Sequence, residues 1–559
     1  MSLPGLISRG RRIGIEVLFP SACSKTLESA QVAYAPHGHV GQHRDFLKET
    51  LVTESRPNNP ASEGSGLLLE AFDAQLFRET SETALAKLEK HLSDLSIRGL
   101  ELTDPALLSQ AARGLMTTER ESVAAFDEEK LAGIIDLYIR TGIQVHSPGY
   151  MGRQFSGVVP LAGVIDFVSS VINQPASFYE AAQLPNVVER IMADELNRFI
   201  GYDPARFTMV TTSGGSLANL TALLAARNQK LPGFWAHGGS AVRGQPRPAI
   251  AVGADVHYSV ARAAGVMGIG EAQLVRLPLN PQGQISVADA RPALAAAERQ
   301  NLKVFCLVAS AGSTSVGAFD PIDELAELAR EFNLWLHVDG AHGASLLVSD
   351  TLRERLRGIE RADSLTWDAH KMMFVPAPCT MLFYRDKETS RTAFRQKASY
   401  VFDEEPDIYT AYDSGGKNFE CTKRPMIMTL WTLWAMYGPA LFAEKIDYLC
   451  RLTEEAHGIL RADPDFETLH RPEANILCFR YHPADIRKED VHRLQIAIRN
   501  RVKLRGNFFI SKVNIDGVAA LRVVMMNHQV TDGHFRMLIS EIKATGQEIL
   551  EREPGTETA

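Results

Sequence analysis

The first chemical signal is a lysine. In Asp363-Ser364-Leu365-Thr366-Trp367-Asp368-Ala369-His370-Lys371-Met372-Met373-Phe374, a β-branched and aromatic run precedes His370-Lys371 and an apolar run follows, which predicts a strand whose exit holds Lys371 against buried structure. An amine drawn out of water loses part of its tendency to protonate, and a partly neutral amine forms a Schiff base with a carbonyl. A lysine that snorkels out of an apolar patch has the same signature.

Three further stretches carry chemistry, each after a strand-like run. Thr211-Thr212-Ser213-Gly214-Gly215-Ser216 leads straight into a helical pattern. Two glycines let the backbone approach an anion, and free amides with the hydroxyls of Ser213 and Ser216 would hold a phosphate at the positive helix end. The spacing is neither GxGxxG nor GxxxxGK[ST], and a plain turn with an N-cap reads the same way. The run 334–338 ends in Asp339-Gly340-Ala341-His342, where the acid is either a turn residue or a partner for a bound cation. His257-Tyr258-Ser259 follows another run; its imidazole either stacks on a flat ligand or is structural. Pyridoxal 5'-phosphate asks for this set: a phosphate anchor, an acid for the pyridinium nitrogen and a lysine for the aldehyde.

The elements that must position these residues follow an α/β alternation across 146–424. Helical spacing at 186–200 puts Val188, Ile191, Met192, Leu196 and Phe199 on one side, 207–211 reads as a strand and 216–227 as a helix. Strand-like runs recur at 249–252, 304–309 and 334–338. Asp320-Pro321 predicts a helix start, acid at the N-cap and proline at the first position, with Leu325, Leu328 and Phe332 as its stripe. Alternation of this kind predicts an α/β domain with a mainly parallel sheet, whose ligands lie beyond the carboxyl ends of the strands.

Before this domain, residues 1–63, rich in Ser, Pro, Gly and His, read as a loosely ordered lead-in. Residues 64–145 read as helices, with Leu85, Leu88, Leu92 and Leu95 at threes and fours and a similar pattern at 131–138, whose apolar faces need the next domain or a second subunit as partner. After Pro425 comes a small α+β domain, 425–559, with a Trp-rich helix at 426–437, strands at 475–480, 508–512 and 521–525, and a hairpin at 514–517.

With 559 residues, 45% apolar and 23% charged, the composition is that of a globular protein. A formal charge of −8 argues against a nucleic-acid partner, which needs a basic face. The six cysteines never form CxxC, so neither a disulfide framework nor a metal site is expected, and a reducing, cytoplasmic compartment fits best. Arg9, Arg11 and Arg12 precede an apolar run too short for a secretory segment, and no membrane span is expected; a transit peptide is the alternative.

In this combination the chain resembles the group II pyridoxal-phosphate-dependent amino-acid decarboxylases, the family acting on glutamate, cysteine sulfinate and aromatic amino acids, over about residues 144–531. The resemblance implies fold type I, aspartate aminotransferase-like, with Lys371 tethering the cofactor and His370 contacting its phosphate. It also implies Asp339 at the ring nitrogen, Ala341 below the ring, His257 stacked above it, Ser213, Gly214, Gly215 and Ser216 as the phosphate loop, and Ser310 flanking the ring. Many relatives carry Asn where this chain has Asp368. The stretches 399–402 and 412–417 resemble the family's mobile loop, whose tyrosine is implied to protonate the product carbon; ungapped alignment puts Ile408 there, so Tyr409 is favoured, with Tyr412 in reserve.

Arg153 stands where relatives with acidic substrates have glutamine, and Arg522 aligns with an arginine implied to bind a substrate carboxylate. Two guanidinium groups suit aspartate, glutamate or cysteine sulfinate, although an internal salt bridge for Arg153 is equally readable. The resemblance further implies a homodimer with the active site at the interface. Decarboxylation of aromatic or diamino acids, carbon–carbon cleavage of phosphorylated long-chain amino alcohols as in sphingosine-phosphate lyase, and a non-catalytic descendant stay open.

Overall fold

The computed structural model describes residues 66–116, 126–238, 246–394, 409–420, 422–484 and 486–552. The lead-in 1–63, the stretch 399–402 and Ile408 lie outside them. The chain divides into two units, Met1–Asp73, described only for its short helix Gly66–Ala71, and Ala74–Ala559.

Seven strands form the central sheet of the larger unit: β1 (Thr208–Thr212), β2 (Arg247–Gly253), β3 (Leu274–Leu277), β4 (Leu302–Ser310), β5 (Trp335–Asp339), β6 (Ser364–Asp368) and β7 (Thr380–Tyr384). Strands buried on both faces read as unbroken hydrophobic runs, and every residue of β5, β6 and β7 is buried. The order is β1-β7-β6-β5-β4-β2-β3, with only β7 antiparallel to its neighbours. The carboxyl ends of β1, β2, β4, β5 and β6 therefore share one edge, where the loops after Thr212, Gly253, Ser310, Asp339 and Asp368 emerge.

Helices cover both faces. Gly215–Lys230 packs Ala218, Ala222, Leu223 and Ala226 against Val210, Ile250 and Val308. Ile322–Glu331 buries Leu325 and Leu328 on the opposite layer with Leu336 and Val338, and Phe332 packs against that cluster. Its start differs from expectation: Asp320 is not the cap. The Asp320 carboxylate instead accepts the backbone N–H groups of Ser310 and Ile285, each at 2.7 Å, and so ties β4 to a neighbouring loop. Along Gln183–Ile200 the buried stripe is Val188, Met192, Leu196 and Ile200, while Ile191 is exposed, because helical drift carries it off the core face.

A second, antiparallel sheet, Phe466–Thr468, Ile476–Tyr481, Val518–Val524 and Ser511–Ile515 in that spatial order, carries its own core with Lys488–Arg505 and Asp532–Arg552. Its hairpin turns through Asp516-Gly517, both at positive φ, between Ile515 and Val518, the geometry that matches strand twist. Segment 149–151 joins this sheet: Phe509 N–H donates to Gly149 O and Met151 N–H to Phe509 O, at 2.9 and 3.0 Å. The leucine-rich helix forms as Ala74–Ser93, yet Leu85 and Leu88 are exposed, as is Leu95 beyond its end.

Candidate active site

The loops at the shared strand edge enclose a cavity of about 390 Å³, lined by Ser213, Gly214, Gly215, Ser216, Asn219, His257, Ser310, Asp339, Ala341, His370 and Lys371, together with Gln154, His342 and Asp368. All ten residues expected to meet the cofactor line it. Its size is that of a small-molecule site.

Lys371 sits in the single helical turn Ala369–Met372 immediately after β6. Its Nζ lies 3.1 Å from Asp368 Oδ2, so the amine is ion-paired and only partly buried rather than surrounded by apolar atoms. Asp368 is buried and well supplied with donors: Thr380 Oγ1 donates at 2.5 Å, and His370 Nε2 lies 3.6 Å away. This carboxylate is thereby compensated from within the chain. His370 is anchored through Nδ1, 3.0 Å from Cys379 O.

At the glycine loop, Gly214 has φ +114°, backbone that a side chain rarely adopts. A Cβ on Gly215 would stand 3.0 and 3.1 Å from the Asp368 carboxylate oxygens and 3.4 Å from Ala341 Cβ, so the missing side chain keeps the floor open. Gly215 and Ser216 open a 16-residue helix without an acidic residue in its first turn, leaving its first amides for an anion. Ser213 is engaged differently from expectation: its N–H and hydroxyl both donate to the Glu420 carboxylate, the former at 3.0 Å.

Asp339 closes β5. Asn219 Nδ2 donates to its Oδ2 at 2.8 Å and Ala341 N–H to its Oδ1 at 3.2 Å, and each oxygen keeps a further lone pair. His257 caps the helix Tyr258–Val266, with Nδ1 2.8 Å from Ser259 Oγ. Burial lowers its pKa, and the Asp339 carboxylate pulls the other way. Two neighbouring imidazoles are held neutral by burial, His337 at about 4 and His342 at about 3. An acid at one wall, an amine at another and a glycine-floored helix N-terminus at a third fit a ring that carries a nitrogen, an aldehyde and a phosphate.

Four predicted residues lie outside the cavity lining. Arg522, on Val518–Val524, is 5% exposed; its Nε donates to Ser315 O at 3.0 Å and its Nη1 to Ser511 Oγ at 3.2 Å, while Nη2 is buried without a partner. Among the described residues no carboxylate pairs with it. Arg153 is exposed, and no ion pair forms at its side chain among those residues. Its charge is felt at Arg522. Tyr409 is exposed and stacks on Tyr179 at 5.5 Å, and Tyr412 lies against the same ring, beneath Arg190.

Asn219 escaped the sequence reading. It lies four residues after Gly215 on the sheet-facing side of the helix, between apolar neighbours, and a polar residue in such a stripe was the available signal.

A model of the pyridoxal-dependent decarboxylase conserved domain matches residues 116–482. The acidic amino acid decarboxylase GADL1 of Bos taurus is 27% identical over 421 residues, covering 74% of this chain and 80% of that protein, and the Homo sapiens protein of the same name matches equally. Among solved structures, mouse CSAD superposes with a TM-score of 0.78 at 24% identity, covering 85% of this chain and 100% of that one. Oryza sativa TDC with PLP and tryptamine gives a TM-score of 0.77 at 21% identity, covering 86% and 99%.

Proposed function

This chain belongs to the pyridoxal-dependent decarboxylase family, and from that premise we propose that it removes CO2 from an acidic L-amino acid, aspartate, glutamate or cysteine sulfinate, with Lys371 as the cofactor's attachment point. It is a pyridoxal-phosphate enzyme of fold type I whose substrate is an amino acid. The observation that carries the assignment of roles is that β6, β5 and the loop after β2 deliver Lys371, Asp339 and His257 to one cavity.

Pyridoxal phosphate, when bound, supplies an electron sink for the pair left behind as CO2 departs. The chain does the rest. The amides of Gly215 and Ser216, with His370, would hold the phosphate, Asp339 would keep the ring nitrogen protonated, and His257, Ala341 and Ser310 would wall the ring. Asp368 holds the Lys371 amine by its ion pair. Tyr409, with Tyr412 as the alternative, delivers a proton to the substrate carbon. Since neither tyrosine lines the cavity of its own chain, the donor acts across the interface of a homodimer. The exposed leucines of Ala74–Ser93 and the exposed Val164, Phe167, Val168 and Val171 of Pro160–Ile172 support that dimer.

The acidic substrate is supported by Arg522, which lies outside the cavity lining but is bonded to Ser315 beside the lining residue Thr314. A guanidinium this deeply buried without a carboxylate is costly, and a substrate carboxylate relieves the cost; the relatives named for acidic amino acids point the same way. A cytoplasmic location is supported by four buried, unpaired cysteines, Cys306, Cys379, Cys450 and Cys478. No helix among the described residues is long and apolar enough to cross a membrane. CO2 release across acidic, basic and aromatic amino acids tests the proposal. Preference for an acidic member supports it; preference for tyrosine or a diamino acid overturns the substrate, and CO2 from none of them favours the carbon–carbon lyase alternative.

A further inference from the structure

Behind Asp339 and His257 runs a chain of buried hydrogen bonds in which every direction is determined. A carboxylate only accepts, so the end of Asn219 that lies 2.8 Å from Asp339 Oδ2 is its NH2 group. Its second hydrogen goes to Ser259 Oγ at 3.0 Å. Ser259 N–H donates to His257 Nδ1 at 3.3 Å, so that nitrogen presents a lone pair, and Ser259 Oγ, 2.8 Å from it, gives it its own proton. His257 Nδ1 is then a lone pair, and a neutral imidazole carries its proton on Nε2.

The other end of the chain agrees. Asn219 Oδ1 accepts from Thr366 Oγ1 at 2.8 Å and from His337 Nε2 at 3.1 Å. His337, protonated on Nε2, receives Ser364 Oγ–H on Nδ1 at 2.9 Å, and Ser364 accepts from the indole Nε1–H of Trp335, which can only donate, at 2.8 Å. The line thus begins at an obligate donor and reaches an obligate acceptor with each group between them oriented one way. His337, Asn219, Ser259, Ser364 and Thr366 are all at most 1% exposed, so water does not compete for these contacts.

We propose that Asn219 and Ser259 are positioning residues that lock His257 as the neutral Nε2–H tautomer, presenting a hydrogen-bond donor to the acceptors of a bound ligand, while the same amide orients Asp339. The tautomer is a property of the chain alone. Its catalytic consequence rests on the reading of His257 and Asp339 as the cofactor's neighbours. One side chain thereby registers two walls of the site, so that a donor faces the ligand from one and an acceptor from the other.

The test uses the cofactor-free protein. Neutron diffraction of deuterium-exchanged crystals is expected to show deuterons on Nε2 of His257 and of His337, none on their Nδ1 atoms, and the Asn219 ND2 group towards Asp339. In solution, histidine 15N spectra of Ser259→Ala, which leaves only the longer backbone contact, are expected to gain an Nδ1–H population that Ser259→Thr removes. In the loaded enzyme, Ser259→Ala is expected to lower kcat roughly tenfold or more with KM little changed, and Ser259→Thr to restore it. A deuteron on His257 Nδ1 in the unmodified protein, or a Ser259→Ala protein with unchanged tautomer and kcat, overturns the proposal. If either holds while Lys371 still carries a reducible cofactor adduct, only the relay fails. The expected tautomer without an adduct leaves the relay standing and removes the cofactor roles.

Discussion

Replacing Arg522 by methionine separates a substrate-binding arginine from a structural one, because the two roles predict opposite pairs of outcomes. Of the five guanidinium N–H groups, one on Nε goes to Ser315 O and one on Nη1 to Ser511 Oγ, and Nη2 is unused. If Arg522 binds the substrate, its carboxylate gains at Nη2 about one strong charge-assisted bond, worth about 1.5–3 kcal/mol. Its loss lowers kcat/KM for the acidic substrate about 10- to 150-fold, while a neutral amide isostere such as glutamine against glutamate is hardly affected. Stability moves the other way from intuition. Two hydrogen bonds go, but so does a buried cation with no anionic partner, whose desolvation costs several kcal/mol. Arg522→Met is therefore expected to leave the unfolding free energy of the cofactor-free protein within about 2 kcal/mol of the original. The assays are CO2 release with glutamate and glutamine, and thermal unfolding. Equal loss for both substrates, or a strongly destabilised protein with unchanged preference, refutes the reasoning.

Gly215→Ala places a Cβ about 3 Å from the Asp368 carboxylate; overpacking of this kind costs about 1–3 kcal/mol, and cofactor affinity, followed by equilibrium dialysis, is expected to fall about tenfold or more. Tyr409→Phe is expected to stall or divert the reaction after CO2 has left, seen as CO2 without a matching yield of amine; a normal amine yield would move the role to Tyr412. Acidification is expected to destabilise the fold. Burial holds His146 and His337 near 4 and His342 near 3, below their unfolded value of 6.5, so the unfolded chain binds more protons and stability falls as pH drops from 6.5 towards 4. Asp320, raised to about 7 by burial, opposes this with one proton, because its protonated form is the stable one below that pH. The imidazoles outnumber it, leaving a net loss of at least about 3 kcal/mol, measurable as a falling midpoint in urea titrations at pH 6.5, 5 and 4.

How much of this was readable from the sequence depends on whether a residue's job is set locally or by distant chain. The site edge was legible because strands buried on both faces are continuous hydrophobic runs, and in a parallel sheet their last residues must meet. Ser213 to Ser216, His257, Asp339 and Lys371, all of which line the cavity, follow from that rule, whereas Ser310 came only from the family resemblance. Asp320-Pro321 reads as a helix cap, yet two backbone amides from other segments claim the carboxylate. Ser213 has a second partner, Glu420, some 200 positions later, which leaves no local trace in the sequence. Asn219 hid in a helix whose other buried positions are mostly apolar. Leu85 and Leu88 follow a helical period faithfully, but the period says only that a face is apolar, not which surface covers it. Tyr409 and Tyr412 stand outside the cavity against Tyr179, a partner more than 200 positions away that spacing does not encode.

The central claim, that the amine at position 371 carries the cofactor, is tested most directly by reducing the protein with borohydride after loading with pyridoxal phosphate and mapping the modified peptide by mass spectrometry. The account predicts one phosphopyridoxyl group, on Lys371, and none in Lys371→Ala. An unmodified Lys371, or the group on another lysine, would contradict it.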